Sequence, residues 1–276
     1  MDPIESIDVG GDSTFALGLE AQKRGFELHY YLPEDMSLRD GAVTARLRSL
    51  VLRDKSEDYF SAEPEEVHNL KDMDVVLMRQ DPPFDMAYIS ATHMLEQICD
   101  DTLVVNNPVA VRNGPEKILP VLFPTLQPPT LLTRDLKALE DFRKEFGDII
   151  LKPVYGNGGA GVFRVTHQDE NFSALVEMFM VSSREPIVAQ QYLPDVRQGD
   201  KRVILVEGEA VASLNRIPQP GEARANVHVG GRPVASELSE RDIEIADTIG
   251  GYLKDNGIFF TVLLFPGPSL ITLMPP

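Results

Sequence analysis

The stretch from Asp148 to Thr166 constrains the fold more than any other part of the sequence. An apolar run carrying Lys152 leads into a loop with four glycines in the six residues from Gly156 to Gly161, and a second β-prone run follows. Strand, glycine loop and strand predict a β-hairpin, whereas Rossmann and P-loop sites place a helix after the loop. Glycines let backbone N–H groups approach an anion, and a flanking lysine adds a point charge for phosphate. The alternative is a plain hairpin whose lysine reaches solvent.

The charge balance limits what the chain can bind over a broad surface. Its 276 residues include 26 basic and 43 acidic side chains, for a net charge of −17. This argues against a general nucleic-acid or anionic-membrane surface, because either partner attracts a basic face. A phosphate ligand must therefore be held by a local cationic pocket, and we expect neither nucleic acid nor membrane as a partner.

Cysteine and histidine usage bears on the compartment and on metal binding. Cys99 is the one cysteine, so an intrachain disulfide is impossible and a reducing compartment fits. The five histidines show no metal-ligand spacing. The N-terminus is acidic and polar, which argues against a signal peptide. We expect a cytoplasmic protein.

Short elements alternate over roughly residues 1–110 and predict a small parallel sheet of the βαβ type. Asp12 or Ser13 can cap the first helix, and Gly25 can end it. The remaining expected elements are strands over 27–32, 74–79 and 102–105, strands around a sheet edge over 42–52, a surface loop over 54–71, and a helix over 86–98.

Arg79 follows the predicted strand over 74–79, where ligands commonly bind in such sheets. It is a candidate for a substrate carboxylate, and the equally weighted alternative is a rim arginine paired to Asp81 or Asp85. Asp12 and Ser13 have a simpler account as a helix cap, although that helix N-terminus can also receive an anion.

The rest of the chain predicts a second set of strands and helices. They are a strand over 130–133, a helix over 136–146 between Asp135 and Gly147, the glycine hairpin, a helix over 172–180, a strand over 186–193, paired strands over 200–206 and 209–217, and a helix over 238–256 with Ser239 and Asp242 as its capping box. Residues 218–233 lack periodicity and exceed the usual connection length, which favours a working loop or lid.

Cationic residues cluster around these segments despite the acidic composition. They are Lys117, Lys152, Arg202 or Lys201, Arg216, Arg224 and Arg232. Each alone is more often a solvated surface residue. Together they fit a site that neutralises a nucleotide triphosphate and a carboxylate substrate.

In combination these motifs resemble bacterial-type glutathione synthetase, a member of the ATP-grasp superfamily, from residue 1 to about 260. The motifs are Met1-Asp2-Pro3-Ile4, Asp12-Ser13-Thr14-Phe15, Arg79-Gln80-Asp81-Pro82-Pro83-Phe84-Asp85, Asn107-Pro108, Glu116-Lys117, Leu151-Lys152-Pro153, Gly156-Asn157-Gly158-Gly159, Gln191-Tyr192-Leu193-Pro194, Gly199-Asp200-Lys201-Arg202, Arg216-Ile217-Pro218, Arg224-Ala225-Asn226 and Gly230-Gly231.

The resemblance implies an α/β fold of the ATP-grasp type. A parallel N-terminal substrate domain over 1–110 precedes an ATP-grasp domain over 111–260, whose central part (about 117–193) and C-terminal part (about 194–260) clamp ATP. The implied reaction joins γ-glutamylcysteine to glycine through an acyl phosphate, with ATP and Mg²⁺, and the implied assembly is a homotetramer.

The resemblance also implies residue roles. Lys117 and Lys152 correspond to phosphate-contacting lysines, the glycine loop to a flexible cover, and residues 190–193 to a hinge whose backbone reads adenine. The nucleotide positions are Lys117, Lys152, Gly156, Asn157, Gly158, Gly159, Gly161, Gln190, Gln191, Tyr192, Leu193 and Asp200. The catalytic positions are Arg202 and Arg216, and the substrate positions are Asp12, Ser13, Arg79, Arg224 and Asn226.

Both ends depart from the family pattern. The family has an apolar strand before the Met-Asp-Pro segment, so we expect the N-terminal sheet to lack its first strand. After residue 260 the family continues with a Gly-Leu-Asp strand and a Glu-x-Asn strand that ligates Mg²⁺, whereas the last 21 residues here contain no Asp, Glu, Lys, Arg or His. We expect an incomplete C-terminal sheet, an exposed, aberrant apolar tail over 261–276, and no metal ligands of the family type.

Two alternative functions stay open at this stage. One is another ATP-grasp ligase that joins a different carboxylate and amine, against which the Arg79–Asp85 block argues. The other is an inactive nucleotide-binding remnant, which the missing magnesium ligands favour.

Overall fold

The computed structural model describes residues 1–219, 230–266 and 272–274. The chain divides into two compact units, Met1–Arg112 and Asn113–Pro276. In the described residues, we find no helix with the length and apolar character needed to cross a membrane.

The first unit contains three helices and seven strands among its described elements. They are α1 (Ser13–Lys23), β1 (Leu28–Tyr30), β2 (Met36–Arg39), β3 (Ala42–Leu52), β4 (Phe60–Ala62), β5 (Glu66–Asn69), β6 (Val75–Leu77), α2 (Met86–Glu96), β7 (Leu103–Val105) and α3 (Pro108–Asn113). Asp12 caps α1 by accepting a hydrogen bond from the Phe15 N–H, as the sequence predicts.

An antiparallel sheet built on β3 dominates this unit, which corrects two expectations. Strand β3 is not at a sheet edge, because β1, β2, β4 and β5 all pair with it. The segment over 54–71 is not a surface loop throughout, since it supplies β4 and β5. Both strands are short, with three and four residues, so their sequences are too brief to show a strand pattern.

The predicted parallel βαβ-type sheet is present as two described strands, β6 and β7, which are joined through α2. Val76 and Val104 are buried in a core with Leu95 of α2. Val75 and Leu77 are each 45% exposed, so β6 buries one face rather than the two faces usual in parallel sheets.

The second unit carries two antiparallel sheets. Its elements are β8 (Thr130–Thr133), α4 (Leu136–Phe146), β9 (Ile149–Pro153), β10 (Phe163–Val165), α5 (Phe172–Ser182), β11 (Ile187–Gln191), β12 (Asp200–Val206), β13 (Glu209–Ile217), β14 (Arg232–Ser236), α6 (Glu240–Asp255), β15 (Phe260–Pro266) and β16 (Thr272–Met274). One sheet has the order β10-β9-β11-β8, and the other β14-β13-β12-β15-β16.

The predicted glycine hairpin is confirmed, because β9 and β10 pair antiparallel on either side of the loop. Strand alternation divides the residues of this sheet between its two faces. Leu151 and Ala189 lie in the apolar core that also contains Leu139 of α4 and Val176 of α5. Lys152 therefore projects from the opposite face.

The expectation of an exposed C-terminal tail is wrong for residues 261–266. Together with Phe260 these residues form β15, which pairs with β12 along its whole length. Leu263 and Phe265 are buried, so the apolar composition of this segment belongs to an internal strand. Through β15 and β16 the C-terminal sheet reaches five strands among the described residues.

Helix α6 begins at the predicted capping box of Ser239 and Asp242. It lies very close to the turn between β12 and β13. A Cβ added at Gly250 would stand 2.3 Å from the carbonyl oxygen of Gly208, so the two backbones meet without side chains between them. Gly208 also has a φ of +84°, which disfavours any other residue.

Candidate functional site

A small pocket opens on the face of the four-stranded sheet that is turned away from α4 and α5. Its lining combines two lysines with amide, hydroxyl and apolar groups, from Lys117, Pro120, Gln127, Thr130, Lys152, Val188 and Gln190. Three of the predicted nucleotide residues, Lys117, Lys152 and Gln190, are therefore brought together.

Lys152 is the most buried cation of this pocket. Its Nζ donates to Gln190 Oε1 at 3.0 Å. Burial lowers the pKa of Lys152 to about 8, helped by the positive charge of Lys117 and opposed by Glu116. An anion bound beside this ammonium would stabilise its charged form, because opposite charges favour each other's ionised states.

Lys117 connects the pocket to the glycine loop. Its Nζ donates to the Gly156 carbonyl oxygen at 2.5 Å and lies 3.4 Å from a Glu116 carboxylate oxygen. The side chain of Lys117 is only 8% exposed. The two lysines thus stand at the base of the loop that follows β9.

The glycine loop has the backbone that its composition predicts. Gly158, Gly159 and Gly161 have φ values of +62°, +81° and +69°, in the region that favours glycine. A Cβ on Gly156 would come within 2.4 Å of Pro153 Cγ. The loop therefore needs glycine both for its backbone angles and for its close approach to Pro153. Asn157 closes a turn by accepting at its carbonyl oxygen from the Ala160 N–H.

Residues 190–193, predicted as a hinge, begin inside β11. The Gln191 N–H donates to Pro129 O and the Tyr192 N–H donates to Asp148 O, both at 3.0 Å. Arg164 stacks over the Tyr192 ring at 4.1 Å. Leu193 follows the strand and accepts at its carbonyl oxygen from the Val196 N–H. The segment is thus tied to both neighbouring strands at its start.

A second group of predicted residues lies on β12 and β13. Asp200 and Arg216 are register partners across these strands and form a buried ion pair. The pKa of Arg202 is lowered to about 10, first by burial and then by the neighbouring Arg216 charge, while Asp200 and Glu116 oppose the shift. Glu116 therefore acts electrostatically on Arg202 as well as on Lys152.

In the first unit, the predicted substrate residues Asp12, Ser13 and Arg79 meet at the start of α1. Arg79 donates to Ser13 Oγ at 2.7 Å and to Thr14 Oγ1 at 3.0 Å. Burial lowers the Arg79 pKa, whereas burial and the Asp2 charge raise the pKa of Asp81. Asp85, an alternative partner for Arg79, accepts hydrogen bonds from the first turn of α2.

Sequence reasoning missed Thr130, Gln127 and Val188 as pocket residues. Thr130 faces Gln190 because the two are register partners in β8 and β11. Strand pairing of this kind is not readable from one sequence. The predicted substrate residues Arg224 and Asn226 lie outside the described residues, as does most of the predicted lid over 218–233.

Within the described ranges, no group of three or more His, Cys, Asp or Glu side chains is placed to hold a metal ion. Two acids of the second unit already face cations, since Glu116 lies beside Lys117 and Asp200 pairs with Arg216.

Comparisons with known proteins give a consistent result. The family model of the prokaryotic glutathione synthetase N-terminal domain matches residues 1–112, and that of the prokaryotic glutathione synthetase ATP-grasp domain matches residues 116–270. Glutathione synthetase of Agrobacterium fabrum is 54% identical over 94% of this chain and 82% of its own length. That of Yersinia pestis is 45% identical over 98% of this chain and 85% of its own length.

Solved structures with the same fold are more distant in sequence. The ATP-grasp ligase PsnB complexed with a minimal precursor superposes with a TM-score of 0.59 at 20% identity, over 95% of this chain and 85% of its own. D-alanyl-alanine synthetase A from Vibrio cholerae gives a TM-score of 0.55 at 16% identity, over 90% and 73%. These likenesses show the ATP-grasp fold.

Proposed function

The chain belongs to the prokaryotic glutathione synthetase family, and from that premise we propose that it joins γ-glutamylcysteine to glycine at the expense of ATP. In this reaction ATP activates the cysteinyl carboxylate as an acyl phosphate, which the glycine amine then attacks. The single observation that carries the proposal is the pocket in which Lys117 and Lys152 stand below a glycine loop on an ATP-grasp fold.

Charge and burial support nucleotide binding in this pocket. Burial removes water from the Lys152 ammonium and lowers its pKa. A bound polyphosphate would supply negative charge in place of that water and so stabilise the charged form of the lysine. Lys117 holds the Gly156 carbonyl and so ties the glycine loop to the same place. We assign the loop residues Gly156, Asn157, Gly158, Gly159 and Gly161 to the phosphates.

Backbone position supports the adenine assignment of residues 190–193. The segment leaves β11 beside the pocket that Gln190 lines. Backbone groups at the end of a strand can read a flat base while side chains of the same sheet hold its phosphates.

Arg202 and Arg216 are proposed to stabilise the charge that moves between nucleotide and carboxylate. Both are held in a largely buried site, where a fixed positive charge acts more strongly than in water. The arginine fork also suits planar carboxylate and phosphoryl groups. Asp200 is proposed to orient Arg216 and to act on the nucleotide only through it, because both carboxylate oxygens accept from Arg216.

In the first unit, Arg79 with Ser13 and Asp12 is proposed to bind a carboxylate of the dipeptide. The guanidinium is oriented by two hydroxyl groups, which donate or accept as a ligand requires. The roles of Arg224 and Asn226 in substrate binding are proposed from family resemblance alone. The domain limits near residues 110 and 260 and the homotetramer are proposed on the same basis.

Magnesium is expected with ATP in this family, and it would neutralise the phosphates. The described residues contain no group of three or more His, Cys, Asp or Glu side chains placed to hold it.

The two alternatives are disfavoured by different observations. Relatives named glutathione synthetase are 45% to 54% identical to this chain, whereas ATP-grasp ligases with other names resemble it at 20% or less. An inactive remnant would not need a buried lysine pair beneath an intact glycine loop.

The test is glutathione formation from γ-glutamylcysteine, glycine, ATP and Mg²⁺, measured together with ADP release. We expect both products in equal amounts, and neither with Lys152→Met. Lys144→Met removes an exposed lysine of the same unit and serves as the matched control. Product from a different amine, or nucleotide binding without turnover, would contradict the proposal.

A further inference from the structure

A chain of hydrogen bonds crosses the floor of the pocket from β8 to β9. The Thr130 hydroxyl lies 2.7 Å from Pro128 O, Gln190 Nε2 lies 2.9 Å from Thr130 Oγ1, and Lys152 Nζ lies 3.0 Å from Gln190 Oε1. The three side chains lie on adjacent strands, in the order β8, β11 and β9.

Donor and acceptor chemistry gives this chain one direction. A carbonyl oxygen can only accept, so Thr130 must use its single hydrogen towards Pro128. Its oxygen is then an acceptor, and the group of Gln190 that faces it must be the amide nitrogen. The Gln190 oxygen is consequently turned towards Lys152, whose ammonium can only donate.

We propose that Thr130 is a positioning residue: by fixing the orientation of the Gln190 amide, it keeps an acceptor against Lys152 and so keeps that lysine charged for the nucleotide phosphates. The inference rests on the proposed function for the ligand of Lys152. It adds a residue whose effect on Lys152 is transmitted through the Gln190 amide.

The surroundings of Lys152 make its charge sensitive to this one contact. The charged groups that act on it are Lys117, which disfavours its protonation, and Glu116, which favours it. The neighbouring strands contribute the uncharged Thr130, Val188 and Gln190. If the amide turned over, its NH₂ dipole would face the ammonium and oppose protonation.

The variant that tests this is Thr130→Val, which keeps the shape of the side chain but loses the hydroxyl. We expect the Lys152 pKa to fall by about one unit, because the Gln190 amide nitrogen loses its acceptor on residue 130 and the amide can then turn over. ADP affinity should then be about fivefold weaker than in the parent protein at pH 8 and similar at pH 6.5. Thr130→Ser retains the hydroxyl and should restore the parent profile.

Two measurements keep the inference separate from the proposed function. Calorimetric titration with ADP between pH 6.5 and pH 9 gives the affinity profile. NMR titration of protein labelled with ¹³C at lysine Cε follows the Lys152 pKa without nucleotide, with the Lys152→Arg variant assigning the signal. Thr133→Val, on the same strand outside the pocket, controls for loss of a β8 hydroxyl.

A second variant tests the mechanism directly. Gln190→Glu in the Thr130→Val background offers an oxygen to Lys152 in either orientation, so we expect the pKa to rise again. An unchanged Lys152 pKa in Thr130→Val, or an affinity loss equal at every pH, would overturn the inference. Failure of the parent protein to bind ADP would instead overturn the proposed function, and the NMR titration would still decide the role of Thr130.

Discussion

Arg216 and Asp200 form a two-point ion pair across β12 and β13. Arg216 Nε donates to Asp200 Oδ1 at 2.6 Å, and a terminal guanidinium nitrogen of Arg216 donates to Asp200 Oδ2. Each residue is 6% exposed. The pairing holds Arg216 in one orientation, so the carboxylate acts on the site through the arginine.

Asp200→Asn tests this relationship. The amide can accept one of the two hydrogen bonds but leaves the buried guanidinium without a counter-charge, so Arg216 should lose its fixed orientation. We expect kcat to fall about 100-fold, as for a misplaced catalytic group. ADP affinity should change little, and the melting temperature should drop.

Steady-state kinetics, ADP titration and thermal unfolding of the same preparation separate these effects. Asp195→Asn, on the exposed loop before β12, is the matched control. A large loss of ADP affinity with unchanged kcat would mean that Asp200 contacts the nucleotide after all.

The buried lysine predicts an unusual dependence of stability on pH. The pKa of Lys152 is about 8 in the folded chain, lowered first by burial, against about 10.4 in an unfolded chain. Between these values the unfolded chain keeps a proton that the folded chain has released. Stability should therefore rise with pH across this window.

We expect the free energy of unfolding of the nucleotide-free protein to rise by about 3 kcal/mol, relative to that of Lys152→Met, as the pH rises from about 8 to about 10.4. Urea unfolding at several pH values measures this difference, and Lys144→Met controls for loss of a surface charge. Identical pH dependence in the parent and in Lys152→Met would show that Lys152 titrates normally.

Two adjacent glycines of α6 should respond in opposite ways to alanine. In Gly250→Ala the new Cβ would stand 2.3 Å from Gly208 O, so the helix must move away from the β12–β13 turn. We expect the free energy of unfolding of Gly250→Ala to fall by about 2 kcal/mol or more. In Gly251→Ala the Cβ meets nothing within 4 Å, and the better helix propensity of alanine should add about 1 kcal/mol.

Chemical denaturation of both variants checks this pair, with each serving as the other's control. Destabilisation of similar size in the two proteins would argue against the close backbone contact.

Removal of magnesium should separate binding from turnover. The described side chains place cations, but no acidic cluster, around the pocket. We therefore expect ADP to bind in the presence of EDTA with an affinity close to that measured with Mg²⁺, while glutathione synthesis requires the metal. Loss of ADP binding on chelation, measured by calorimetry, would mean that the nucleotide is held through the metal.

Several features of this protein followed from local sequence alone. Asp12, Asp135 and Ser239 cap helices where their side chains and the following apolar residues predict. The glycine loop adopts positive φ values at low cost because glycine has no Cβ to clash there. These features depend on contacts within a few residues, which a single sequence contains.

Features that depend on distant strands were predicted poorly. The short strands β4 and β5 exist because β3 offers a long partner, and their own sequences do not indicate it. The apolar residues after Phe260 read as an exposed tail, yet the first six of them pair with β12. In both cases the partner strand decides the outcome.

By itself, the sequence determined the helix caps, the glycine hairpin, the family resemblance and the residue types available for nucleotide chemistry. Only the tertiary structure decided which of those residues meet. It turned the Gln190 amide towards Lys152, paired Asp200 with Arg216 and placed residues 260–266 in a sheet beside β12. The reason is physical: backbone propensity acts over a few residues, whereas burial, pKa shifts and ion pairing arise between groups that the folded chain brings together.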